Sequence, residues 1–188
     1  MNNNENLPVV QPKPEVSEVR KASFWVSQIC VIIATVLGVY LAATQGLKQA
    51  IAFDDIRSDK NNAYLRISLR TEMAGNIEVV KDYVAKVRKD GSLASRKRAL
   101  ALQTFVWDNM KFSSNTLETP SEFLMANADF LRTITYLHGE IAGSGISTDN
   151  GLKRMEAAIK KLEETVLPKI DSNVDELRTS LKKRDIDI

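Results

Sequence analysis

Apolar residues are distributed along this chain in two ways: one unbroken block near the start, then stripes at intervals of three and four. No Asp, Glu, Lys or Arg occurs from Ala22 to Leu47, and the bounding charges are Lys21 and Lys48. Such a run of about 26 residues exceeds the roughly 20 that a helix needs to cross a hydrocarbon core of about 30 Å. Its centre, from Ile29 to Leu37, is rich in Ile and Val, which insert favourably at mid-bilayer, and Trp25 and Tyr40 stand near the interfaces. A buried helix of a water-soluble protein rarely stays uncharged for so long. The block predicts a transmembrane helix over 22–47, with Phe24 to Thr44 as the anchor.

The later stripes predict four further helices. A helix-compatible stretch, 48–62, serves as juxtamembrane helix or linker, with the expected bend at Ser58, Asp59, Lys60, Asn61 and Asn62. Leu65, Leu69, Met73, Ile77, Val80, Val84 and Val87 then recur with the period of one buried helix face, and Asp90–Gly91 ends that helix. A second helix is expected from Ser92 to Phe112, burying Leu102, Phe105, Val106 and Met110. Thr119, Pro120 and Glu122 have the spacing of a capping box with proline at the first helical position. They open a third helix with Phe123, Phe130, Ile134, Leu137 and Ile141 inward, closed by Gly143, Ser144 and Gly145. The fourth is capped by Thr148 or Asp149 and carries Leu152, Met155, Ile159, Leu162, Val166, Ile170, Val174, Leu177 and Leu181, with a kink at Pro168. No run alternates as a strand does. The expected fold is all-α, one N-terminal transmembrane helix followed by an antiparallel four-helix bundle over 63–184, with a short tail at 185–188.

Residues 1–21 hold an Asn run and Pro8, Pro12 and Pro14, with too few large apolar side chains to offset chain entropy, so a disordered tail is expected. Glu5, Glu15 and Glu18 in that tail, and the length of the apolar run, argue for a retained anchor over a cleaved signal peptide. Arg20 and Lys21 abut the membrane and favour a cytoplasmic N-terminus, which puts the helical domain in the periplasm of a bacterial inner-membrane protein.

Composition narrows the function classes. The 188 residues carry a net charge of +2, too small to attract nucleic acid as a whole-molecule effect. Cys30 is the only cysteine, which rules out an intramolecular disulfide. The segment from Trp107 through Ser113, Thr119, Pro120 and Phe123 to Tyr136 resembles patterns in uncharacterised bacterial single-pass membrane proteins with a small helical domain. That resemblance covers a minor part of the chain and implies no known activity.

Cys30, Ala34, Gly38, Ala42 and Gly46 are spaced by four along the apolar block. Small side chains let helix backbones approach closely in lipid, so this stripe is the expected packing face for a homodimer or another membrane protein. Arg96, Lys97 and Arg98 fall in the expected opening turns of the second helix, where the macrodipole opposes cations, and form a candidate patch for an anionic partner. His138 is the only histidine and lacks a cysteine pair to complete a metal shell. The carboxylate pairs Asp54–Asp55, Glu163–Glu164 and Asp175–Glu176 diverge by about 100° around a helix and are not preset for acid/base work. Trp107, Asp108 and Asn109 are candidates for a polar pocket between helices.

No cofactor or metal site is expected. The leading expectation is a non-catalytic bitopic scaffold or assembly subunit. The alternative is a ligand-sensing bundle with a separate signalling partner, and an enzyme has the least support.

Overall fold

Helix begins at Ala22 and continues without a break to Asp90, giving α1 (Ala22–Asp90) its 69 residues. Helix runs unbroken through the expected bend at 58–62, where Ser58 and Asn62 bond to Glu118 and Asp59 to Arg184. The structure is a computed structural model that describes residues Ala22 to Asp187, so the tail at 1–21 lies outside the described residues. After α1 come α2 (Leu93–Arg96), α3 (Phe105–Met110), a 3₁₀ turn (Ser114–Glu118), α4 (Ser121–Gly143), α5 (Thr148–Lys161), a π turn (Leu162–Val166) and α6 (Leu167–Lys182). Among the described residues there is no strand, and the fold is all-α.

The chain divides into two units, Met1–Ala52 and Phe53–Ile188. In the first, the helix is long and apolar enough to cross a membrane, and none of its apolar window is buried. Two of its hydroxyls bond within the helix, Thr35 Oγ1 donating to the Val31 carbonyl at 2.8 Å and Thr44 Oγ1 to that of Leu41 at 2.9 Å. No hydroxyl donor of these two residues is left open to hydrocarbon.

In the second unit one hydrophobic core joins Leu69, Met73, Ile77, Val80, Val84 and Val87 of α1 to the inward stripes of α4, α5 and α6. Phe123, Phe130, Ile134, Leu137 and Ile141 are buried, and each contributes roughly 1.5–3 kcal/mol through removal of apolar surface from water. Gly91, at φ +62°, ends α1 in the left-handed conformation, its N–H donating to the Val87 carbonyl at 2.8 Å. Four ion pairs mark the register of α1 against the segment from α5 to the turn after α6: Arg88–Glu156 at 2.7 Å, Lys81–Glu163 at 2.6 Å, Arg70–Asp171 at 3.0 Å and Asp59–Arg184 at 2.8 Å. Partner numbers rise along α5–α6 as they fall along α1. Exposed pairs like these contribute at most about 1 kcal/mol each, so they report the register more than they hold it.

Several helix ends differ from expectation. Pro120, not Thr119, precedes α4, and no side-chain cap forms there. Thr119 is buried instead, its hydroxyl donating to the Asn115 carbonyl at 3.3 Å. Ser144 takes the left-handed conformation after α4, although glycines flank it. The cap of α5 is Ser147, one residue before the expected position, accepting the Asn150 N–H at 3.3 Å. A Cβ on Gly151 would stand 2.6 Å from Ile141 Cγ1, so this glycine permits the close approach of α4 and α5. Just before Pro168 the helix widens into the π turn, in which the Leu167 N–H reaches back to the Leu162 carbonyl. The extra residue per turn brings both Val166 and Leu167 to the buried side.

Candidate functional site

The expected second helix is replaced by a strap running from Gly91 to Pro120, in which the two short helices α2 and α3 are separated by a non-helical segment at 97–104. Its apolar spacing is helical, but backbone groups of Arg96, Gln103, Val106 and Trp107 bond to side chains of α1. A polar row on α1 supplies the partners. Tyr83 Oη donates to the Arg96 carbonyl at 2.9 Å. Asn76 donates from Nδ2 to the Gln103 carbonyl at 2.8 Å and accepts the Gln103 N–H at 2.7 Å. Glu72 accepts the N–H groups of Val106 at 2.6 Å and Trp107 at 3.0 Å, capping α3 from across the interface where Thr104 provides no cap.

Farther toward the start of the unit, Arg66 donates from Nη2 to the Glu118 carbonyl at 2.6 Å and from Nη1 to Asn173 Oδ1 at 2.6 Å. The Glu118 carboxylate accepts from Ser58 Oγ at 3.1 Å and from Asn62 Nδ2. Burial pushes the Arg66 guanidinium below its ordinary value, opposed by the charges of Glu118 and Asp59. Asn62 Oδ1 and Arg66 Nε are buried without a protein partner. Beside them Asp54, Arg57, Ser58, Asn61, Asn115 and Glu118 line a polar recess of about 340 Å³. Charges of both signs in its wall make it a solvated niche with no preference for one ion sign.

The strap's outer surface is apolar at three points. Phe105 is 79% exposed, Phe112 90% and Leu117 91%. Phe105 was expected inward with Met110, yet only Met110 is buried, because the Glu72 cap fixes α3 with its first residue turned outward. Phe112 and Leu117 were not singled out by spacing. The available signal was the absence of charge from Phe112 to Leu117.

The sequence-predicted basic residues sit in this strap in a different setting from the one expected. Arg96 is the last residue of α2 and Lys97 its C-cap, so they meet the favourable end of a short helix, and Arg98 follows in a turn. The electrostatic mismatch that marked them is therefore absent. Arg98 Nη1 lies 3.9 Å from Asp82, and Arg96 Nε is buried without a partner. His138 Nε2 stands 2.8 Å from the Arg98 carbonyl with its ring edge-on to Tyr83 at 5.2 Å, so both aromatic side chains pin the strap. With a carbonyl as partner, Nε2 carries the proton. Burial raises the Tyr83 hydroxyl above its ordinary value against the opposing charge of Arg96, which keeps it a donor.

The three candidate pocket residues at 107–109 are directed to separate partners. Trp107 packs on the core, Asp108 pairs with Lys111 at 2.9 Å, and Asn109 donates to the Phe105 carbonyl at 2.6 Å. Among the described residues, no group of three or more His, Cys, Asp or Glu side chains is placed to hold a metal ion.

In the membrane-length part of α1, Cys30, Ala34, Gly38, Ala42 and Gly46 are all exposed. A Cβ on Gly38 or Gly46 would meet nothing within 4 Å. Steps of four residues advance the stripe by about 40° each around the helix, so it winds along one side. No family model matches this chain, and neither a curated protein nor a solved structure matches it.

Proposed function

We propose that this chain is a non-catalytic bitopic membrane protein, a scaffold or assembly subunit whose anchor helix and helical domain bind other proteins through helix–helix contacts. The observation that carries this reading is the membrane-length apolar segment of α1, whose apolar window is not buried among the described residues. Apolar surface of that extent is stable only against lipid or another protein. The winding stripe of Cys30, Ala34, Gly38, Ala42 and Gly46 gives it a face for a second copy or for another membrane helix. The non-catalytic part is supported by how the polar groups are used: Glu72, Asn76, Tyr83 and His138 all bond backbone. The proposed topology has the N-terminus in the cytoplasm and the domain in the periplasm of a bacterial inner membrane, on the strength of Arg20 and Lys21 before the anchor.

Two experiments test the reading. Membranes from expressing cells are washed with alkaline carbonate, and the chain is expected to stay in the pellet. Oxidative crosslinking through Cys30 in native membranes is expected to give a linked dimer. Release by carbonate defeats the anchor. Retention without any dimer, beside a control protein that does crosslink, defeats the homodimer and leaves a different membrane subunit as the partner.

A further inference from the structure

We propose that the strap docks on the lipid surface of the membrane that anchors the chain, with Phe112 and Leu117 inserted at the interface. This rests on the membrane reading above and adds a second contact, made by the soluble domain. Both side chains are almost wholly exposed, at 90% and 91%, and they bracket a segment without a single charge. The flanking charges are withdrawn: Lys111 pairs with Asp108 at 2.9 Å, and Glu118 is turned onto Ser58 and Asn62.

The backbone of this segment is also prepared for a poorly hydrated layer. The N–H groups of Phe112, Ser113, Thr116 and Thr119 donate to the carbonyls of Asn109, Met110, Ser113 and Thr116 at 3.0–3.1 Å. The Thr116 hydroxyl donates to the Met110 carbonyl. Backbone N–H groups that are already paired lose little when water is removed from them, whereas unpaired ones lose their hydrogen bonds.

Covalent tethering selects lipid over a diffusing partner as the occupant. Ser58, which holds Glu118, follows Leu47 by eleven residues, a reach of no more than about 40 Å for a fully extended chain. That end of the strap is thus tethered no farther than this from the apolar segment, at an effective concentration no free protein shares. Phe and Leu at loop tips are side chains that gain by entering the headgroup–acyl boundary.

The test uses the full chain, with Cys30→Ser, in vesicles of phosphatidylethanolamine and phosphatidylglycerol. An environment-sensitive fluorophore is attached at Phe112→Cys, at Leu117→Cys or, as a solvent-facing control, at Lys153→Cys. Fluorophores at 112 and 117 are expected to be quenched by nitroxide-labelled lipid and shielded from iodide, with the reverse at 153. A third probe at Lys111→Cys is expected to lose its lipid quenching when Phe112→Ser and Leu117→Ser are combined. Equal iodide access at 112, 117 and 153, in chains that float with the vesicles, overturns the docking and leaves the anchor standing. Shielding from both quenchers that grows with protein density overturns it in favour of a second copy. Failure of the chain to float with vesicles defeats the membrane reading itself.

Discussion

Asn76 and Gln103 face each other across α1 and the strap as a two-point clamp, the side-chain amide of one satisfying both backbone groups of the other at 2.8 and 2.7 Å. Asn76 is fully buried, so neither bond competes freely with water. Replacing it with leucine leaves a carbonyl and an N–H without partners, at a cost of about 1–3 kcal/mol. Hydrogen exchange through 97–107 is expected to accelerate in Asn76→Leu while α4 keeps its protection. Unchanged exchange in the strap would show that the clamp does not hold it.

Glu72→Gln keeps the shape of the α3 cap but turns one acceptor into a donor aimed at N–H groups. The Val106 and Trp107 amides lose a charge-assisted pair of bonds, worth about 1–3 kcal/mol. A lowered melting temperature with faster exchange at these two amides is the expected result. Equal stability of the two proteins would refute the cap.

Asn127 makes the opposite case. It is 0% exposed on the inward face of α4, and both Oδ1 and Nδ2 lack a protein partner. Asn127→Leu replaces an unpaired amide by an apolar group of similar volume, and a gain of about 1–3 kcal/mol is expected in urea denaturation. A loss of similar size would mean that the amide is satisfied in solution.

Acid should weaken the domain modestly through a small set of exposed aspartates. The carboxyl of Asp82 is held below its ordinary value by Lys86, that of Asp90 by the Ser92 and Ser95 hydroxyls, that of Asp108 by Lys111 and that of Asp149 by Lys153. Folded values below the unfolded one mean that the unfolded chain binds more protons. The stability they supply is fully present above the unfolded value of about 3.9 and lost as pH falls through the folded values. Melting temperature is expected to be level from neutrality to about pH 5 and to drop below about pH 4, with a shallower drop in Asp90→Asn. Lys81 behaves oppositely: hydrogen bonds to Glu163 and Glu78 raise it, so its contribution is lost only as pH climbs through that raised value.

Much of the helical framework was readable from period alone. The stripe from Leu69 to Val87, the stop at Gly91 and the inward set of α4 lie where apolar spacing places them. The strap was not readable, because Leu102, Val106 and Met110 also recur as a helix face would. What decides its conformation is Asn76 and Glu72, which bond to it across 27 to 35 residues of sequence. Arg96, Lys97 and Arg98 were misplaced for the same reason, since a helix that does not form has no macrodipole to oppose them. A polar row at Asn62, Arg66, Glu72 and Asn76 beside the apolar stripe was the visible sign. Buried polar side chains on a helix face require partners, and those of Arg66, Glu72 and Asn76 include main chain.

The direction of these contacts bears on how the chain is made. A ribosome delivers α1 first, so the helix that dictates the strap's path exists before Ser92 leaves the exit tunnel. The next segment to emerge is laid down on a finished template, and no later helix has to be displaced to admit it.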